Sequence, residues 1–490
     1  MAVSLPSKGP ANMAQAKPLV LDVDGTFLRT DMLFECFWAG LGRDPLRVLK
    51  VVATQFRDPA RLKRELAGIA EIRTDLLPVQ PDMKKLVDES TAAGRMVVLA
   101  SASDESQVKR LAVDHGISGR VFASDGVVNL KAGAKAEALV AAFGEKGFDY
   151  AGNEAADLAI WKHAENALII GPDPSMARSL TAEGHSVTEY KDGWILRDLI
   201  RALRPHQWVK NVLLLLPLLA AHAFALAPFL SILLGMVAFS AAASTIYIVN
   251  DLLDLEADRL HPKKKNRPFA SGAVPIRIGM VTTAALGAVA VGLGALLGPT
   301  FLGVLILYMV LSLAYSLKLK QMRWVDIATL AGLYTLRVVA GAAASQIVVS
   351  GYMLVFIFPI FITLGCVKRM TELTLATSDE RLPGRGYARS DRGDLLNVSG
   401  LGMVGALLIF FLYSLTEQAQ TLYPDRWLLW VALIPIAWWM LRMIRLGYFG
   451  KQDYDPIVFA LKDKRGLGIL MITLSLMFYA AGLLPAWFGF

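Results

Sequence analysis

Cysteine is nearly absent from this chain of 490 residues: Cys36 and Cys366 are the two, far apart in sequence. So spaced they make no disulfide framework and no zinc-binding pattern, and they fit a reducing compartment. Charge is scarce too. Asp, Glu, Lys and Arg make up 19% of residues against roughly 25% in soluble proteins, while 55% are hydrophobic. That balance excludes a simple soluble enzyme. Between Lys8 and Lys17 there is no apolar core of signal-peptide length, so the first domain is expected to stay in the cytoplasm. A net charge of +8 raises the question of nucleic acid. Most basic residues after position 200, however, sit in loops beside apolar runs, so membrane topology accounts for them and no nucleic-acid partner is expected.

The apolar residues are unevenly spread. Before about residue 200 they alternate with charges at globular spacing, and beyond it they form long runs. This divides the chain into a tail 1–17, a soluble domain 18–190, a connection 191–205 and a membrane domain 206–490. A bilayer core needs roughly 20 apolar residues per helix. Candidate spans are 212–224, 229–249, 280–297, 301–317, 327–344, 352–367, 398–415, 427–443 and 467–487, about nine in all. Lys and Arg fall almost entirely in one set of loops: 259–277, 318–323, 368–392 and 442–465. The other set offers only Arg426. The positive-inside bias puts the first set in the cytoplasm, as in a multi-pass bacterial-type inner-membrane protein. An odd count then leaves the N-terminal domain inside and Phe490 outside.

One cytoplasmic loop is acidic where basic residues are the rule. Asn250, Asp251, Asp254 and Asp258 recur about once per turn, so a helix would present an amide and three carboxylates on one face. Hard oxygen ligands of this kind suit magnesium, which shares its coordination with substrate phosphates. Asp326 and Arg337 lie close to three turns apart on one predicted helix and, with Tyr334, face the same way. A charged residue so deep in an apolar run marks either a lined cavity or a pairing inside the bundle. Gly287, Gly292 and Gly294 read as sites of close helix packing.

The run Asn250-Asp251-x-x-Asp254-x-x-x-Asp258, followed by Arg267-Pro268 and Ser271-Gly272, resembles the first aspartate motif of the UbiA superfamily of intramembrane prenyltransferases. The resemblance covers roughly residues 200 to 490. It implies a nine-helix bundle with a cytoplasm-facing cleft in which these acids bind Mg2+ and the donor diphosphate. The superfamily's second aspartate motif is missing. Lys368-Arg369-Met370-Thr371-Glu372 stands there, followed by Gly384-Arg385-Gly386-Tyr387. With Arg204-Pro205-His206-Gln207-Trp208-Val209-Lys210-Asn211, Tyr315-Ser316-x-x-Leu319-Lys320 and Asp455-Pro456-x-x-Phe459-Ala460-Leu461-x-Asp463, the chain looks like the decaprenyl-phosphate phosphoribosyltransferase branch. That resemblance implies phosphoribosyl diphosphate as donor and a polyprenyl phosphate as acceptor. Departure of diphosphate leaves an oxocarbenium-like carbon, and magnesium on Asp251, Asp254 and Asp258 would neutralise the leaving charge. The acceptor is already an anion and needs no strong base. Cations must hold both substrates, and Lys210, Lys320, Arg337, Lys368, Arg369 and Arg385 are candidates, with Asn250, Glu372 and Tyr387 beside them. Snorkelling at the membrane surface is the competing account of each loop cation. Glu372, one turn from Lys368 and Arg369, has an internal pairing as its alternative.

In the soluble half, the apolar run 18–21 ends in Asp22-Val23-Asp24-Gly25-Thr26. Two carboxylates two positions apart at a strand end form a phosphoryl-transfer arrangement, one acid attacking and the other managing the proton. A second apolar run ends at Ser101, and Lys135 and Gly152-Asn153-Glu154-Ala155-Ala156-Asp157 follow. Together these segments resemble the haloacid dehalogenase superfamily of phosphohydrolases, over roughly residues 15 to 190. The resemblance implies an α/β, Rossmann-like parallel sheet. Residues 31–82 would form a small helical cap, Asp22 would be the nucleophile and Asp24 the acid/base. Ser101 and Lys135 would bind phosphoryl oxygens, and Asp22 and Asp157 would hold Mg2+. Asn153 departs from the family's usual acid, and Lys131 competes with Lys135.

The two resemblances combine into one expectation: the membrane half makes a lipid-linked 5-phosphoribose and the soluble half removes its 5-phosphate. Two alternatives stand beside it. The membrane half would move an isoprenoid chain to an aromatic or tetrapyrrole acceptor, with Asp379, Asp391 and Asp394 as a degenerate second metal motif; or the soluble domain would be an inactive regulatory module. The sequence leaves open lipid chain length, the fate of the ribosyl lipid, whether 171–200 is flexible or docked, and oligomeric state, a homo-oligomer included.

Overall fold

The computed structural model describes residues 16–171, 175–348, 350–376, 379–381, 384–452 and 455–489. Most of the tail 1–17, part of the Gly171-to-174 segment and Phe490 lie outside them. The chain divides into two compact units. One runs up to Ala202 and also takes in Ile248–Thr282; the other comprises Leu203–Tyr247 and the chain from Thr283 onward.

The first unit is built on six parallel strands, β1 (Leu19–Leu21), β2 (Val97–Asp104), β3 (Val121–Ser124), β4 (Asp149–Gly152), β5 (Asn166–Ile170) and β6 (Ser186–Tyr190), in the order β3-β2-β1-β4-β5-β6. Alternation along β1 sends Leu19 and Leu21 into one apolar layer and Val20 into the other, so both faces of the sheet are covered. The strand order reverses at β1, and ligands of such sheets bind beyond the carboxyl ends at that switch. Asp22 follows β1 directly. Between β1 and β2 stand three helices, α1 (Met32–Arg43), α2 (Pro45–Gln55) and α3 (Pro59–Ala70). Asp31, Asp44 and Asp58 cap their N-termini, the last two followed by Pro at the first helical position, which is why the chain breaks there so regularly. The stretch expected to form a cap is helical over these residues. From Ser186 to Asp192 the chain is docked: β6 pairs with β5, and Arg29 Nη2 reaches Asp192 at 2.8 Å.

Among the described residues seven helices are long and apolar enough to cross a membrane: Leu226–Leu253, Ile276–Leu296, Pro299–Leu317, Val325–Ser345, Gly351–Thr374, Arg392–Ser414 and Trp427–Tyr448. Seven of the expected spans fall on them, and the two outermost differ. The run 212–224 is split between a 3-10 helix, Pro205–Leu215, and a short α-helix, Leu216–Ala220, broken at Pro217. The run 467–487 is a 17-residue helix, Lys464–Ala480, stopped before Gly482 at φ +70 and followed by Leu483–Phe488. Length and apolarity cannot register such breaks.

Of the glycines expected at packed surfaces, Gly294 is one, since a Cβ there would lie 3.1 Å from the Leu302 and Leu305 side chains, but the tightest approach in the second unit falls on a glycine not singled out. A Cβ at Gly292 would meet open space, whereas one at Gly341 would lie 2.0 Å from the Leu214 carbonyl oxygen. The bare backbone at Gly341 lets the 3-10 segment lie against the helix Val325–Ser345 one turn beyond Arg337. Gly341→Ala should push the two apart and cost about 1–3 kcal/mol, as overpacking does. It is expected to appear as a lower melting temperature of the full chain in detergent.

Candidate active sites

At the carboxyl edge of the sheet, Lys135 Nζ lies 2.6 Å from Asp22 Oδ1, 3.1 Å from the Tyr150 hydroxyl and 4.0 Å from Asp157 Oδ1. Lys131, its rival in sequence, is half-exposed and pairs with Glu154 at 3.6 Å. Burial pushes the Asp22 carboxyl up to about 7, opposed by the Lys135 ammonium and reinforced by Asp157 and Asp24. Asp24 is locked. It accepts from Met32 N at 2.8 Å, from Ser101 Oγ at 3.1 Å and from Ser103 Oγ at 2.6 Å. Ser101, expected at a phosphoryl oxygen, thus donates its hydroxyl hydrogen bond to Asp24. Ser103 went unnoticed, though alternation in a strand puts residues two apart on one face. From α3, Lys63 reaches the Ala102 carbonyl at 2.6 Å and Asn129 at 3.1 Å, and only the tertiary fold brings it there.

Asp157 accepts from Tyr150 Oη at 2.8 Å and from the Asn153 and Glu154 amides at 3.0 Å each, so it closes its own turn. Asn153 Oδ1 takes the Thr26 hydroxyl. Asp22 and Asp157, the pair expected at magnesium, thus share the Lys135 ammonium, and Asp157 is also bound within its own turn.

The acidic segment belongs to the same unit. The helix Leu226–Leu253 ends after Asn250 and Asp251, Asp254 stands at the break, and a short helix, Leu255–Leu260, carries Asp258. Backbone bonds from Asp254 N to Asn250 O and from Asp258 N to Asp254 O carry the register across. Asp251 and Asp258, each 2% exposed, therefore converge on one cation, the Arg267 guanidinium, whose Nη1 lies 2.9 and 2.7 Å from them. Burial raises the Asp258 carboxyl above its usual range against the pull of Arg267, with Asp251 adding to the rise. A pair of hard oxygen donors already seating a cation fits a divalent metal. No cluster of three or more acids, His or Cys in metal-holding geometry occurs among the described residues.

In the second unit the expected cations sort into two groups. Asp326 and Arg337 do not pair. Asp326 instead binds Arg369 bidentately at 2.5 and 2.7 Å, both side chains fully buried, and Tyr315 Oη at 2.9 Å. Arg369 also meets Glu372 at 2.5 Å, and Arg385 lies 3.8 Å from Asp326 and 3.9 Å from Glu372. Two acids and two arginines cancel. Tyr387 is buried and its hydroxyl accepts from Trp324 N at 2.8 Å, so it holds the start of a helix. Lys320 lies in the turn Leu319–Gln321.

The other group keeps surplus charge. Arg337 donates to Asn211 Oδ1 at 3.1 Å, Leu333 O at 2.8 Å and Tyr308 Oη at 2.9 Å, without an acidic partner among the described residues. Lys210 Nζ is 2.5 Å from Asp455 Oδ2, while Lys368 makes no ion pair among the described residues. Burial alone would raise the Asp455 carboxyl, but Lys210 and Lys368 bring it down to about 2. Asp379, Asp391 and Asp394 pair with Arg389, Arg323 and Arg323. Asp379 is largely exposed, and the three do not converge on a metal seat.

The sequence profile of the UbiA prenyltransferase family matches residues 212–461. An uncharacterized protein of Sinorhizobium fredii is 32% identical over 94% of this chain and 90% of its own length. Decaprenyl-phosphate phosphoribosyltransferase of Mycobacterium tuberculosis is 36% identical over 55% of this chain and 89% of its own. Among solved structures, a UbiA homolog from Archaeoglobus fulgidus bound to GPP and Mg2+ aligns at 16% identity with TM-score 0.45, covering 58% of this chain and 99% of that one.

The lysine pair on Asp455 gives a signed prediction. A carboxyl held below its unfolded value contributes stability above that value and loses it as pH falls through the folded one. In Lys210→Met one of the two lowering charges is gone, so acid destabilisation should begin at a higher pH than in the wild type. Melting temperature against pH in detergent reads this directly.

Proposed function

The chain belongs to the UbiA prenyltransferase family, and on that premise we propose that it transfers 5-phosphoribose from phosphoribosyl diphosphate to a polyprenyl phosphate. The chain is an integral, multi-pass membrane protein and a UbiA-type transferase. The surplus positive charge of Lys210, Lys368 and Arg337 is the observation that carries the reading. A site for two phosphate-bearing substrates has to supply net cation, and where a second metal motif would stand this chain has Lys368 and the internally neutralised Arg369. The name of the mycobacterial relative, decaprenyl-phosphate phosphoribosyltransferase, supports the same acceptor class and transferred group.

Asp251, Asp254 and Asp258 would hold Mg2+, which when bound neutralises the leaving diphosphate. Arg267, already seated between two of them, would share that load. Lys210 and Lys368 would hold phosphate oxygens, oriented by Asp455, and Arg337 has two of its five N–H groups left for an anion. The acceptor phosphate oxygen forms the new bond to the anomeric carbon as the carbon–diphosphate bond breaks, and no proton needs to move. The basic loops would face the cytoplasm.

The N-terminal unit would be a haloacid dehalogenase-like phosphohydrolase acting on the 5-phosphate of the lipid product. The reversal of strand order at β1, with Asp22 and Asp24 at its carboxyl end and Lys135 against Asp22, supports this. Asp22 would attack phosphorus as the bond to the ribose 5-oxygen breaks, with Lys135 balancing the oxyanion; Asp24, held by two serines and an amide, would protonate the departing oxygen and then take a proton from the water that releases phosphate from Asp22. Covalent linkage would keep the second site at high effective concentration for the first site's product.

Purified protein with Mg2+, labelled phosphoribosyl diphosphate and polyprenyl phosphate should yield ribosylated lipid. Asp251→Asn should reduce labelling about a hundredfold or more, and Asp22→Asn should leave labelling intact while trapping the 5-phosphorylated lipid. Label entering lipid only from a prenyl diphosphate would overturn the first step, and an unchanged product in Asp22→Asn the second.

A further inference from the structure

The helix α2 presents an apolar face to the outside of its unit. Leu46, Leu49 and Phe56 are 80%, 55% and 62% exposed, while Val48 and Val51 on the opposite side are buried. With Ala53 between them, the three exposed side chains follow a spacing of three to four, so they form one stripe. Lys50, Arg47 and Arg57 flank it, all exposed, and the Arg57 guanidinium lies over the Phe56 ring at 5.2 Å. An exposed apolar stripe edged by cations is the pattern of a helix lying in a bilayer interface.

Within its own unit the stripe follows a segment that packs beside the end of a long apolar helix. Gly42 and Arg43, which close α1, line a small cavity with Leu252, Leu253 and Glu256. Leu252 and Leu253 end the helix Leu226–Leu253, which is long and apolar enough to cross a membrane, and this end belongs to the same compact unit as α1. α2 begins two residues after α1 ends. We propose that α2 is an interfacial helix, its Leu46, Leu49 and Phe56 inserted among lipid acyl chains and Lys50, Arg47 and Arg57 bound to anionic headgroups. A second copy of the chain is the poorer occupant, because three side chains cover far less than the about 800 Å² per partner of a stable protein interface. The interaction would hold the cap of the N-terminal unit on the bilayer.

The full chain in lipid nanodiscs tests this. Cys36 and Cys366 are buried, so a cysteine introduced by Leu46→Cys, Phe56→Cys or, as an exposed control, Val113→Cys takes an environment-sensitive fluorophore selectively. At positions 46 and 56 the emission should shift to the blue and be quenched by spin-labelled lipids, more strongly with anionic lipid present. The Val113→Cys probe should show neither. Lys50→Glu with Arg57→Glu should weaken the quenching while the melting temperature holds. Water-like emission at 46 and 56 would overturn the proposal, and so would a blue shift without lipid quenching, which would assign the face to protein.

Discussion

The ion pair between Asp326 and Arg369 has no exposure on either side, and the second unit is organised around the cost of that burial. Removing two charges from water costs several kcal/mol per ion, recovered only when the geometry is bidentate and the remaining donors are met. Both conditions hold. Two guanidinium nitrogens meet the two carboxylate oxygens, Glu372 takes a third, and Tyr315 bridges Arg369 to Asp326. Three helices are tied at one point: Pro299–Leu317 through Tyr315, Val325–Ser345 through Asp326 and Gly351–Thr374 through Arg369 and Glu372. Because this cluster is internally neutral, it fixes the framework and leaves ligand chemistry to its neighbours.

Those neighbours depend on the framework for position. Lys368 sits one residue before Arg369, and Arg337 projects from the helix that Asp326 begins. Arg337 is 4% exposed and satisfied by an amide, a phenol and a backbone carbonyl, all neutral groups. Hydrogen bonds take three of its five N–H groups, its charge stays uncompensated, and in a low-dielectric interior an uncompensated cation attracts an anion strongly. The first unit uses the reverse arrangement. Asp22, Asp24 and Asp157 crowd the carboxyl edge of the sheet, and Lys135 is buried among them as the counter-ion.

Much of this was legible in the sequence because it is written in local pattern. Apolar runs gave seven helices at nearly their observed bounds, and two acids after a short apolar run marked the end of β1. The failures were local as well. Pro217 and Gly482 divide runs whose composition alone suits a span. Gly292 was expected at a packed surface and meets open space, whereas Gly341 went unnoticed, since a glycine's role depends on which backbone crosses it.

The amino-acid sequence by itself determined the two-part architecture, the family and the residue types available for chemistry, because periodicity, charge bias and motif spacing are properties of neighbouring positions. Only the tertiary structure decided how those residues pair. Asp326 chose Arg369 over Arg337, Asp22 took Lys135 over Lys131, and Asp251 and Asp258 converged on Arg267. The reason is physical. A buried charge takes the partner that the packing of distant segments brings within a few ångströms, and that distance is set by helices and strands far apart along the chain.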